Sequence, residues 1–228
     1  MKTPLFLNKE EKKTDMVRLL IVRHGYSVTN KEKRYTGQSD VPLDAVGLLQ
    51  GEAVSRYLAA HYAVDCIYSS DLCRAVETVR PLSEHLSLPI RKDARLREYF
   101  MGEWEGKAFS EVQKLFPKTH HTLKTEPWRV RYDGGESVSD VYHRVSECLD
   151  EIIKENEGKT VVIASHGGAI RQILRYALRL PAERYSELPR VANASISEIV
   201  VEGDVMRVLR LSETEHLSEL SENEVETR

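Results

Sequence analysis

The apolar residues of this chain fall into two periods. Short continuous runs stand at Leu19-Leu20-Ile21-Val22, at Cys66-Ile67-Tyr68 and at Val161-Val162-Ile163-Ala164. Runs of this length, bounded by turn residues, predict strands buried on both faces. Between them, apolar residues recur every three or four positions. Leu49, Ala53 and Tyr57, with Val54 and Leu58 beside them, predict a helix capped by Asp44 and ending near His61. Leu72, Ala75, Val76, Val79 and Leu86 predict a second helix, capped by Ser70 or Asp71, in which Pro81 implies a kink or an early end. A short helix is expected over 108–116, stopped by Pro117. Val138, Val141, Val145, Cys148, Leu149 and Ile152 mark a long helix opened by Glu136 and closed at Glu157-Gly158. Another covers 169–180 ahead of Pro181. Segments 26–44, 99–106 and 120–135 read as polar, irregular loops, and a short strand lies within 89–96. Residues 195–201 and 205–211 flank Glu202-Gly203-Asp204, a β-hairpin signal. The order β-α-β-α-(β)-α-β-α with a late hairpin predicts one α/β domain over 16–211.

Composition narrows the class. With 228 residues, 41% hydrophobic and 30% charged, the chain can bury a substantial core. A net charge of −3 gives no basic surface for nucleic acid, so any anion site must come from local placement of Arg. No apolar run approaches the roughly 20 residues that span a bilayer, and no membrane partner is expected. Three sparse cysteines, Cys66, Cys73 and Cys148, point to a reducing, cytoplasmic setting. Residues 1–15 are set apart as an N-terminal extension. The Glu- and Ser-rich tail, 212–228, is expected to be disordered.

Two of the apolar runs end alike, in Arg23-His24-Gly25 and in Ser165-His166-Gly167-Gly168. Open α/β sheets bind ligands at the carboxyl ends of their strands. Taken alone, Arg-His-Gly is a strand end with a surface Arg and a structural His. Its companions change that reading. Asn30, Arg34, Thr36 and Gly37 share the following loop. Arg74 sits in the first turn of the helix after Tyr68-Ser69-Ser70-Asp71-Leu72, where anions are favoured. Glu98 stands beside a loop with two glycines, and Gly134-Gly135-Glu136-Ser137 opens a helix. His120 and His121 are adjacent and lack a suitably spaced carboxylate, so no metal site is assigned. Trp104 reads as a packing residue, and Arg171 as part of a solvated helix face.

In this order and spacing the motifs resemble the histidine phosphatase (phosphoglycerate mutase-like) superfamily over nearly the whole ordered chain. The resemblance rests on Arg23-His24-Gly25, Asn30, Tyr35-Thr36-Gly37, Pro42-Leu43 with Gly47, Tyr68-Ser69-Ser70-Asp71-Leu72 with Arg74-Ala75 and Thr78, Glu98 with Gly102 and Trp104-Glu105-Gly106, Gly135-Glu136-Ser137, and Ser165-His166-Gly167. The sequence departs from the family at Tyr26, where Glu or Gln is usual, which bears on substrate preference. The resemblance implies a mostly parallel sheet flanked by helices on both faces, a three-layer sandwich. It implies His24 as the nucleophile of a phosphohistidine intermediate, its tautomer held by a backbone carbonyl and its neutrality by the charges of Arg23 and Arg74. Arg23 and Arg74 clamp the phosphoryl oxygens. His166 donates to the same group. Glu98 protonates the leaving oxygen and then activates water. Asn30 and Gly167 contact phosphate, while Thr36 and Gly37 shape the substrate side. No metal or organic cofactor is implied. The compact stretch after Glu98 is most similar to broad-specificity and α-ribazole phosphate phosphatases, so the expected reaction is hydrolysis of a small phosphorylated metabolite. The alternatives are a bisphosphate-primed phosphoglycerate mutase and a non-catalytic phospho-ligand binding module. Both monomer and homodimer remain open.

Overall fold

The computed structural model describes residues 15–218 and Leu220. Six strands form one sheet: β1 (Val17–Arg23), β2 (Cys66–Ser69), β3 (Ile90–Lys92), β4 (Thr160–Ser165), β5 (Ile196–Glu202) and β6 (Val205–Glu213). Their spatial order is β3-β2-β4-β1-β5-β6. The pairs β1/β4, β2/β4 and β2/β3 are parallel, and β5 runs antiparallel to both of its neighbours. The sheet is therefore mostly parallel, as expected. Its two central strands, β1 and β4, are those that carry the two His-Gly endings, and Arg23 lies opposite Ser165.

Strand alternation sorts the core into two faces. Leu20, Val22, Ile67, Val162 and Ala164 pack with Ala53, Val54 and Leu58 of α2 (Ala45–His61) and with Ala75, Val79 and Leu82 of α3 (Cys73–Leu86). Leu19, Ile21, Val161 and Ile163 pack on the other face with Val141, Val145 and Leu149 of α6 (Val138–Glu155) and Ile170, Ile173 and Leu174 of α7 (Gly167–Ala177). Successive strand residues point to opposite faces, so a run apolar at every position is what a sheet covered on both sides requires.

Asp44 caps α2 as expected, accepting from the Gly47 N–H at 2.9 Å. The α3 cap differs from expectation. Leu72 occupies the cap position without a side-chain bond, and the Cys73 N–H donates instead to Asp40 in a distant loop at 2.7 Å. Nor does Pro81 end α3, which continues to Leu86. The 26–44 loop contains a one-turn helix, α1 (Val28–Lys31). Pro117 follows α4 (Phe109–Leu115) but begins α5 (Pro117–Thr125), so the irregular segment expected from residue 120 opens inside a helix. A proline has no N–H to lose at a first helical position, which allows it to end one helix and start the next. A 3-10 turn, Pro127–Arg129, follows. Helix α6 opens at Ser137, which forms a capping box with Asp140. Helix α7 begins two residues earlier than expected, directly after His166, and ends at Ala177.

The tail is partly ordered. Ser212 and Glu213 extend β6, and a 3-10 turn, Glu215–Leu217, buries Leu217 against the α2 face of the core. Residues 219 and 221–228 of the expected disordered tail, and residues 1–14 of the expected extension over 1–15, lie outside the described residues. Trp104 is fully buried, its Nε1 donating to Asp133 at 2.9 Å, in keeping with a packing role. Arg171 is not on a solvated face. It donates to the carbonyls of Tyr185 and Leu188, both at 3.0 Å, and lies 4.0 Å from the centre of the Tyr185 ring.

Candidate active site

The site lies at the carboxyl ends of β1 and β4. His24 and His166 are both buried, with ring centres 5.1 Å apart and planes inclined by 54°. Gly25 allows the chain to turn there because a side chain would collide with α2: an added Cβ would lie 2.6 Å from the Gly47 carbonyl oxygen. The Gly25 N–H donates to Thr78 Oγ1 at 2.8 Å, and Thr78 donates to the Arg74 carbonyl, so the turn is bound to α3.

His24 Nδ1 lies 2.7 Å from the Gly25 carbonyl oxygen. A carbonyl only accepts, so Nδ1 carries the proton and Nε2 presents the lone pair. Burial holds the imidazolium well below the usual histidine range, and the charges of Arg74 and Arg23 act in the same direction. Neutrality was expected from the two guanidinium groups alone; desolvation is the larger cause. His166 is likewise held neutral by burial first, then by Arg74. Its Nε2 lies 2.9 Å from Ser70 Oγ, which accepts the Leu72 N–H. With the serine hydroxyl donating to Nε2, the ring carries its proton on Nδ1.

Arg74 is buried, with its terminal nitrogens donating to the carbonyls of Ser39 (2.8 Å) and Gly37 (2.7 Å). Arg23 donates to the Val191 carbonyl. Burial lowers its pKa to about 10, which leaves it cationic at neutral pH. The Nε of each Arg and Nδ1 of His166 are buried without a hydrogen-bond partner. Buried polar groups are normally satisfied, so these unpartnered nitrogens of the residues beside His24 suit an anion.

Glu98 is placed by the start of α7. Oε2 accepts from the Gly168 N–H at 2.9 Å, and Oε1 accepts from Tyr99 (3.0 Å) and Ala169 (3.2 Å). Gly167 begins that helix, and a Cβ there would stand 3.2 Å from Arg23 Nε. Asn30 uses Oδ1 to accept from Ser27 N and Oγ, capping α1. Thr36 meets Thr29 hydroxyl to hydroxyl at 2.7 Å, and Gly37 stands at φ +55° with its carbonyl on Arg74. Thus the structure brings His24, His166, Arg23 and Arg74 together, with Glu98 and Gly167 at the adjoining helix start. It leaves Arg34 outside, paired with Glu32 and the Gly106 carbonyl. Tyr26 is buried at the turn, its N–H donating to Gln50 Oε1 at 2.8 Å.

Several supporting residues escaped the sequence reading. Arg144 donates to the carbonyls of Arg95, Arg97 and Glu98 at 2.7–2.8 Å and makes a two-pronged pair with Glu136. Its one sequence signal is a charge beside the apolar stripe of α6. Glu105, which the sequence reading included in a motif without a role, accepts from Gln38 N, Met101 N and Ser39 Oγ, fixing the loop whose carbonyls hold Arg74. Asn193 reaches the His24 turn from the opposite side of the chain and carried no periodic or motif signal.

Comparison with known proteins matches these observations. The family model described as histidine phosphatase superfamily (branch 1) matches residues 19–214. Phosphoserine phosphatase 1 of Hydrogenobacter thermophilus is 33% identical over 204 residues, covering 90% of this chain and 96% of that protein. Among solved structures, Bacillus stearothermophilus YhfR superposes with a TM-score of 0.84 at 29% identity, covering 88% of this chain and 99% of the other. Mycobacterial glucosyl-3-phosphoglycerate phosphatase Rv2419c in complex with VO3 gives 0.81 at 29% identity, covering 86% and 99%.

Proposed function

The chain belongs to the histidine phosphatase superfamily, and from that membership and its site we propose that it hydrolyses phosphomonoesters of small metabolites through a phosphohistidine at His24. It is an enzyme of the phosphoglycerate mutase family, and its relatives include named phosphatases. The observation that carries the mechanism is the cradle of unpartnered buried nitrogens, Arg23 Nε, Arg74 Nε and His166 Nδ1, on residues beside a neutral imidazole.

In the first step the Nε2 lone pair of His24 attacks phosphorus, and the ester P–O bond breaks in line. Nδ1 stays protonated, so the phosphorylated ring carries a positive charge that the Gly25 carbonyl helps to stabilise. Arg23 and Arg74 neutralise the equatorial oxygens. His166 donates from Nδ1 as charge develops. Glu98, in its acid form, gives its proton to the departing alkoxide. Its Oε2 accepts a single backbone bond, which leaves a lone-pair direction for that proton. In the second step the Glu98 carboxylate takes a proton from water, the hydroxide attacks phosphorus, and the P–N bond breaks to return neutral His24. Asn30 and Gly167 contact the same phosphate, and Thr36 and Gly37 border the leaving group. These steps call for no metal. Three unpaired cysteines support a reducing, cytoplasmic location, and among the described residues no helix is long and apolar enough to cross a membrane.

A panel of phosphomonoesters, read by phosphate release and by acid-labile label on His24, tests this reading. Release from at least one metabolite ester, with label on His24, is expected. Interconversion of phosphoglycerates faster than phosphate release would replace hydrolysis by mutase activity. Binding of phosphate without any label would replace both by a binding module.

A further inference from the structure

The loop 191–195, which precedes β5, faces the nucleophile's turn. The Arg23 N–H donates to the Ser195 carbonyl and the Ala194 N–H donates to the His24 carbonyl, both at 3.1 Å. Between them Asn193 is buried. Its Nδ2 lies 3.1 Å from the His24 carbonyl oxygen, 3.2 Å from that of Gly25 and 3.4 Å from Asn30 Oδ1. Only a donor nitrogen fits among three acceptor oxygens. One of the three, the Gly25 carbonyl, is the oxygen that accepts Nδ1–H from His24.

The loop is itself held from behind. The Ala192 N–H donates to Ser212 Oγ at 2.8 Å. His216 Nε2 donates to the Ala194 carbonyl at 2.8 Å. Leu217 is buried in the core cluster that contains Leu20, Val22 and Ala194. Ala194 stands at φ +55°, a left-handed conformation that a residue with a Cβ avoids unless its surroundings impose it.

We propose that Asn193 is a positioning residue for the nucleophile, fixing the Gly25 carbonyl that sets the tautomer of His24, and that the C-terminal segment 212–217 clamps the loop that carries it. The proposal rests on His24 being the nucleophile. If the Gly25 carbonyl swings away, Nδ1–H loses its acceptor and the proton can move to Nε2, which removes the attacking lone pair. Most of the phosphate cradle stands on other elements, so the larger loss falls on kcat, with a smaller rise in KM through Asn30, which Asn193 also meets.

Asn193→Asp keeps the shape but sets a carboxylate against three acceptors. It is expected to slow single-turnover phosphorylation of His24 by an aryl phosphate about a hundredfold, with a much smaller rise in KM. Nitrogen-15 NMR of labelled histidine should show the His24 proton shifted from Nδ1 to Nε2, which a general loss of stability would not produce. Asn193→Ser, shorter and uncharged, provides the same readouts if the Asp variant does not fold. His216→Ala is expected to cost about tenfold in kcat, and His216→Gln, whose amide nitrogen takes the place of Nε2, to restore it. Wild-type labelling rates with Nδ1–H retained in a folded Asn193 variant overturn the positioning role alone. Label on a residue other than His24 in the unaltered enzyme overturns the nucleophile assignment and this proposal with it.

Discussion

His24 and His166 end neighbouring parallel strands in matched register, and each is followed by glycine, yet the fold uses them in opposite orientations. His24 gives Nδ1 to a backbone carbonyl and keeps Nε2 open. His166 gives Nε2 to a serine hydroxyl and keeps Nδ1 open. The carbonyl forces the first ring to present a lone pair. The serine, already accepting from Leu72, lets the second ring present a proton. Two similar strand endings thus supply a nucleophile and a donor, and the partner of the second nitrogen decides which is which.

The comparison is broken most sharply at His24. His24→Ala should reduce phosphate release by on the order of 10⁴-fold or more and abolish acid-labile label, because no other group carries the attacking lone pair. His166→Ala should cost less, about 10²- to 10³-fold in kcat, the usual loss for one transition-state donor. Label should still form on His24, slowly, in rapid-quench experiments. Equal losses with no label in either variant would mean that the two rings are not divided in this way.

Ser70→Ala sharpens the comparison by removing the partner that orients His166. The expected loss is about tenfold in kcat, as for other supporting hydrogen bonds, with label on His24 retained. The smallest effect concerns stability, where the two rings should behave alike. Both are held neutral well below the ordinary histidine value of 6.5. On unfolding at acid pH each takes up a proton that the native state does not bind. Their contribution is therefore complete above about pH 6.5 and is lost as pH falls below it toward the folded-state values. Each ring contributes a slope of up to ~1.4 kcal/mol per pH unit in that window. His24→Gln and His166→Gln should each reduce the measured slope of unfolding free energy, by similar amounts, in urea titrations on the acid side of about pH 6.5.

The alternation of apolar runs and helical stripes was enough for the α/β class, the strand endings and the two faces of the core. A strand buried on both sides leaves a continuous apolar signature in the chain, as 19–22 and 161–164 do. Where the sequence misled, the missing information was a distant partner. The start of α3 looked like a Ser70 or Asp71 cap, but Asp71 is committed to Arg97 in a two-pronged pair at 2.6–2.7 Å and Asp40 supplies the cap. Arg171 looked solvated because the turn it holds, Ala182–Glu187, has no periodic signal that ties it to α7. The tail looked disordered from its composition, yet Leu217 has a core to enter.

Local patterns of burial and turning in the chain place two imidazoles and two guanidinium groups at strand ends and helix starts, and a carboxylate in a loop beside two glycines. What each can do depends on partners brought together by folding. The roles depend on which nitrogen is occupied, and the occupants are set by packing between segments far apart in the chain. Ser70 meets His166 across 96 positions, Asn193 meets Gly25 across 168, and Arg144 meets the Glu98 carbonyl across 46. Hydrogen bonds depend on direction as well as proximity, and direction is fixed only when the layers have closed around the sheet.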